Sequence, residues 1–98
     1  MNIVKNLDGS KLSLAIEGRL DTTTAPELEK ELAESVEGVA ELVFDLNALD
    51  YISSAGLRVL LAAQKRMNKQ GSMVIRNAKE DIMDIFEVTG FCDILTIE

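Results

Sequence analysis

From Lys11 to Glu17 the chain alternates, with Leu12, Leu14 and Ile16 separated by Ser13 and Ala15 and flanked by Lys11 and Glu17. A period of two puts the three large side chains on one face of a strand. Residues 2–7 have the same extended character, and Asp8-Gly9-Ser10 divides the two segments, so the pair is predicted to form a β-hairpin. The period then lengthens. Leu28, Leu32 and Val36 recur every four residues and mark one stripe of a helix of about three turns. Thr24-Ala25-Pro26-Glu27 has the form of a capping box at its start, and Gly38 is expected to end it.

Glu41 to Leu46 has strand length and β-forming residues and is expected to lie centrally in a sheet. Asn47 to Ile52 reads as a loop. A second helix is predicted from Ser53-Ser54-Ala55-Gly56 to about Gln70, stopped by Gly71, with Leu57, Leu60, Leu61, Gln64 and Met67 on one face. On a different face, Arg58, Lys65 and Lys69 fall within about 40° of one another, with Arg66 nearby. Ser72 to Arg76 reads as a short strand and Lys79 to Val88 as a third helix burying Ile82, Ile85 and Phe86. Ile94 to Ile97 closes the chain as a strand or an extended tail. The predicted order is β-β-α-β-α-β-α-β: an α/β fold, one domain over residues 1–98, with a mixed sheet of four to five strands covered by about three helices.

Composition narrows the function. Hydrophobic residues make up 47 % of the 98, but aromatics only 4 %, so aliphatic side chains must fill the core, with the four methionines and Phe86 filling its gaps. No apolar run approaches the roughly 20 residues of a membrane span, and the alternating N-terminus lacks the apolar block of a signal peptide. The single cysteine, Cys92, excludes an internal disulfide and fits a small half-buried hydrophobe in a reducing, cytoplasmic compartment. Histidine is absent, which removes Ser-His-Asp and Cys-His catalysis and histidine-ligated metal sites. Asp21 and Asp45 have no third ligand beside them and read as loop and strand-end carboxylates. No catalytic residue, metal or cofactor is therefore expected.

The net charge of −7 disfavours nucleic acid as a partner. The charge is segregated, however: residues 51–79 carry six bases and no acid, and residues 80–98 carry six acids and no base. Such blocks either form a surface that partners read or pair with one another in three dimensions. The basic face of the second helix likewise fits either an acidic partner or solvent.

Asp50-Tyr51-Ile52-Ser53-Ser54-Ala55-Gly56-Leu57 places two hydroxyls where a loop becomes a helix. One role is structural: Ser53 or Ser54 caps the helix, worth about 1 kcal/mol. The other is regulatory. A phosphate here would bring about −1.5 to −2 charges to the positive end of a helix dipole, which tolerates it, while a partner pressed against the same spot would not. Gly56, without a side chain, would let another backbone or a phosphate approach.

The stretch Leu46-Asn47-Ala48-Leu49-Asp50-Tyr51-Ile52-Ser53-Ser54-Ala55-Gly56-Leu57 closely resembles the signature of STAS domains, the family of bacterial anti-sigma factor antagonists. Gly18-Arg19-Leu20-Asp21, followed by Leu28, resembles the family's first motif, and the resemblance covers essentially the whole chain. It implies a non-enzymatic switch. The dephosphorylated antagonist binds an anti-sigma factor that is itself a serine kinase, and the sigma factor is released. The kinase then phosphorylates the antagonist, and a metal-dependent serine phosphatase reverses the step.

Aligned on Gly56, the acceptor falls at Ser54. The family commonly has Asp just before it; Ser53 stands there instead, making Ser53 a possible minor acceptor. Asp21 matches an acidic residue near the serine. Asp21, Ser53, Ser54, Ala55, Gly56, Leu57 and Arg58 form the implied partner surface, on a cytoplasmic monomer or weak dimer. An alternative within the same resemblance is a stand-alone subunit of an ABC-type lipid transporter or a signalling scaffold, the chain length speaking against a transporter fragment. A serine hydrolase using Ser54 lacks an evident base.

Overall fold

β1 (Asn2–Asp8) and β2 (Lys11–Leu20) form the antiparallel hairpin that the alternation predicts, in unbroken register from Asn2 opposite Glu17 to Asp8 opposite Lys11. This holds in a computed structural model that describes residues 1–98. Gly9 opens the two-residue turn at φ +62°, a left-handed value that glycine adopts without a Cβ clash. The chain continues through α1 (Ala25–Ser35), β3 (Glu41–Asp45), β4 (Leu49–Ile52), α2 (Ser54–Gln70), β5 (Ser72–Arg76) and α3 (Glu80–Thr89), and a 3₁₀ turn at Phe91–Asp93 follows.

β2 is the organising strand. One edge pairs with β1. The other edge pairs in parallel first with β3 over residues 11–15 and then with β4 over residues 18–20, so β3 and β4 run in line along it. β5 lies parallel on the far side of β3, which makes β3 central as expected. The cross-strand rows Leu12–Leu42–Met73 and Leu14–Phe44–Ile75 face the helices. There they join Leu28 and Leu32 of α1, Leu60 and Met67 of α2, and Ile82 and Phe86 of α3 in one buried core. Each such side chain contributes on the order of 1.5–3 kcal/mol on burial. Ser13, Val43 and Val74 form a row on the opposite face.

Two expectations are corrected. Residues 49–52 are a strand, not loop, because their backbone completes the C-terminal half of β2. The Thr24–Glu27 capping box does not form: the Thr24 hydroxyl donates to the carbonyl of Arg19 at 2.9 Å and accepts from the amide of Asp21 at 2.8 Å. Of the two readings of the C-terminus, strand or tail, the tail holds: a single parallel bridge joins Ile97 to Ile75. Of the predicted α2 face, Leu57, Leu60, Gln64 and Met67 are buried and Leu61 is half-buried. In α3, Ile85 is half-buried beside the buried Ile82 and Phe86.

Candidate functional site

Parallel β2 and β4 end together. Leu20 stands opposite Ile52, so the next residues, Asp21 on one strand and Ser53-Ser54 on the other, emerge together at the C-terminal ends of these strands. The amide of Ser53 donates to the carbonyl of Leu20 at 2.9 Å, and the carbonyl of Ser53 accepts from the amide of Leu57 at 3.0 Å. The start of α2 is thereby fixed to the end of β2.

The two serines differ sharply. Ser53 occupies the N-cap position with extended backbone, yet its side chain makes no cap bond, and its Oγ is buried without a hydrogen-bond partner. Ser54 is the first residue of α2 and is exposed. Its hydroxyl therefore stands beside the unpaired amides of a helix start, where negative charge is favoured.

Asp21 is held rigidly. Its Oδ1 accepts from the Thr23 hydroxyl at 2.7 Å and from the amides of Thr23 and Thr24 at 3.0 and 3.1 Å. The Thr23 hydroxyl does most to lower its pKa, to about 2, aided by the Thr24 and Thr23 amides and opposed by partial desolvation. Asp21, rather than Thr24, supplies the oxygen that organises the entry to α1. Its Oδ2 lies 3.6 Å from Arg19 Nε, and the Arg19 guanidinium sits 4.1 Å from the centroid of the Tyr51 ring, its cross-strand neighbour. Arg19 and Tyr51 belong to the two motif stretches, and neither residue type by itself signals the pairing. The β2–β4 register alone brings them together.

Gly56 serves the interior. A Cβ on it would meet Leu20 Cγ at 2.7 Å, Ile52 Cγ1 at 2.9 Å and the Leu20 carbonyl oxygen at 3.0 Å, so the missing side chain lets α2 press onto β2 and β4. This replaces the expectation that Gly56 opens room for a visiting group. Leu57 is buried too. Of the implied surface, Asp21 and Ala55 are half-buried, and Ser54 and Arg58 are exposed.

The charge blocks resolve partly into pairs. Lys79 reaches Asp50 at 2.6 Å and Arg76 reaches Glu98 at 3.1 Å, whereas Arg58, Lys65, Arg66 and Lys69 of α2 form no ion pair. Asp45 accepts from the Asn47 amide at 3.0 Å and from Asn77 Nδ2 at 3.2 Å, as a strand-end carboxylate does. Cys92 is half-buried, with its thiol pKa raised by desolvation and by Glu87 and Asp93. No helix is long and apolar enough to cross a membrane.

Residues 2–98 match the protein family described as STAS domain. Among individual proteins, the chain is 39 % identical over 93 residues to BtrV of Bordetella bronchiseptica, assigned provisionally as an anti-sigma factor antagonist; the match covers 93 % of this chain and 79 % of that one. It is 31 % identical over 98 residues to the anti-sigma-B factor antagonist of Bacillus subtilis, covering 99 % and 90 %. The fold is also that of the Bacillus cell fate determinant SpoIIAA, solved in unphosphorylated and phosphorylated forms. Each superposes with a TM-score of 0.78 over 99 % of this chain, covering 87 % and 91 % of SpoIIAA at 11 % and 12 % identity.

Proposed function

This chain belongs to the STAS domain family, and from that premise we propose that it is an anti-sigma factor antagonist switched by phosphorylation of Ser54. The observation that carries the assignment is the contrast at the start of α2: Ser54 is exposed at the first helical residue, while the Ser53 hydroxyl is enclosed. A kinase can reach only the first without unfolding the helix start, so Ser53 is the poorer acceptor.

In its unmodified form the protein binds an anti-sigma factor that is a serine kinase, and the sigma factor is released. Asp21, Ala55 and Arg58 supply surface around Ser54. The kinase then moves the γ-phosphoryl group of ATP onto Ser54 Oγ. A new O–P bond forms, the bond from the γ-phosphorus to the bridging oxygen breaks, ADP leaves, and the hydroxyl proton passes to a base on the kinase. The phosphate faces the free amides of α2, so the fold accommodates it. The partner does not, because a dianionic group would have to be desolvated at the contact. A serine phosphatase of the metal-dependent type hydrolyses the ester and restores binding. The chain itself acts by binding rather than turnover, in the cytoplasm where ATP and the sigma factor are found.

The test is to incubate the protein with candidate anti-sigma kinases, ATP and magnesium, and to locate phosphate by mass spectrometry. Phosphate on Ser54 is expected. Phosphate on Ser53 instead would move the acceptor by one residue; no phosphate with any kinase, together with copurification of a membrane ATPase, would replace this reading with that of a transporter subunit.

A further inference from the structure

Beside Ser54 a groove of about 480 Å³ runs between α1 and α2. Its α1 wall is formed by Ala25, Pro26, Glu29, Leu32 and Ala33 with the C-cap residue Val36, offsets of 0, 1, 4, 7, 8 and 11 along the chain. Its α2 wall is formed by Ala55, Arg58, Val59, Ala62, Ala63 and Arg66, offsets of 0, 3, 4, 7, 8 and 11. Each is one continuous helical stripe, of the spacing by which a helix meets a neighbouring helix. The two helices are tied at their C-terminal ends, where Gln70 Nε2 donates to the carbonyls of Val36 at 2.8 Å and Val39 at 2.7 Å. Five of these twelve wall residues are alanines, three of them on α2, so a third backbone can come close. The α2 wall from Ala55 to Arg66 is about 16 Å long, about three helical turns.

From this geometry we infer that the groove seats an amphipathic helix of the partner that reads Ser54, with its apolar stripe on the alanines and two carboxylates on Arg58 and Arg66. The inference rests on the antagonist reading above. Charge fixes the occupant's chemistry: both arginines are exposed and free of ion pairs, and they stand eight residues, or about 12 Å, apart along α2. Carboxylates seven or eight residues apart on a helix match them. Glu29 on the opposite wall favours a base on the far side of the same helix. Continuity fixes whose helix it is. Thr22, Ala55 and Arg58 line the end of the groove nearest Ser54, so a phosphate there lies against the end of the seated helix and repels its carboxylates. The groove thus couples affinity, supplied along its length, to a switch at one end.

The experiment uses the kinase that phosphorylates Ser54 as the probe and measures its affinity for the unmodified full chain by calorimetry. Ala62→Trp fills the groove from an exposed position, Arg66→Glu reverses the charge furthest from Ser54, and Lys30→Glu changes an exposed α1 charge outside the groove. Circular dichroism checks that each variant is folded. Ala62→Trp and Arg66→Glu should each weaken binding by about tenfold or more, and Lys30→Glu by less than about twofold. Wild-type affinity in both groove variants overturns the inference and leaves the antagonist reading intact. No binding by the unmodified wild type overturns both. A chain dimer abolished by Ala62→Trp, or a bound amphiphile seen in the native mass spectrum, would assign the groove to a different occupant and equally overturn it.

Discussion

The amide of Ser53 donates to the carbonyl of Leu20 over 2.9 Å, and this bond joins the two motifs on which the proposed switch depends. Leu20 ends β2 and Ser53 precedes α2, so Asp21 and Ser54 leave the sheet side by side. Rigidity at the switch therefore comes from backbone pairing, and the side chain that would be modified is left out of it. The separation of fold from switch leads to distinct expectations for neighbouring residues.

Ser53→Ala should cost well below the ~1 kcal/mol usual for losing a serine N-cap, because the Ser53 hydroxyl makes no cap bond and is unpartnered. Urea unfolding measures this directly. A loss of 1 kcal/mol or more would mean that the hydroxyl has a partner in solution.

At Ser54, substitution should separate stability from binding. Ser54→Ala should change stability by less than about 0.5 kcal/mol and keep partner binding while abolishing phosphorylation. Ser54→Asp should be neutral or stabilising by about 0.3–1 kcal/mol, since a negative charge suits a helix start, yet should weaken the complex. Equal affinity for the partner in both variants would separate Ser54 from the switch.

Gly56→Ala should destabilise by about 1–3 kcal/mol, the usual range for overpacking, because the new Cβ meets Leu20 and Ile52 inside 3.0 Å. Chemical unfolding with an unchanged denaturant slope is the check. An unperturbed midpoint would show that α2 can lift from the sheet.

The pH dependence should carry a signature of Asp21. Its carboxyl ionises at about 2 in the fold against an ordinary 3.8, so the ionised form is favoured in the native state. The resulting stability is fully present above roughly pH 4 and is lost as pH falls through the folded value. Carboxyl-carbon NMR should find the Asp21 midpoint near 2, and Asp21→Ala should flatten the acid limb of the stability profile. A midpoint near 3.8 would contradict the Thr23 and Thr24 bonds.

Much of this architecture is legible in the chain because its periods are clean. The β2 alternation and the stripes of α1, α2 and α3 each bury one face, and hydrophobic spacing records that directly. β4 was hidden for a physical reason. Only Leu49 and Ile52 at its ends are buried, with Asp50 and Tyr51 exposed between them, so no period of two exists, and the strand is defined by backbone pairing to β2. The α1 entry is not legible because Thr24 and Asp21 both offer capping oxygens, and the pattern of residues does not say which one the loop uses. The adjacent serines pose the same difficulty. The motif brings both to the helix start, but the turn of the backbone at Ser53 decides which hydroxyl faces inward. The α1–α2 groove is not legible either, since small residues on a helix face give no signal until a second helix lies beside it.

The central claim is that one phosphate on Ser54 removes a binding surface without unfolding the domain. Its most direct measurement is the affinity of one kinase partner for the protein before and after stoichiometric phosphorylation, read by calorimetry with circular dichroism of both forms. Loss of binding in the phosphorylated form with an unchanged spectrum is predicted. Equal affinity in the two forms, or loss that accompanies unfolding, would contradict it.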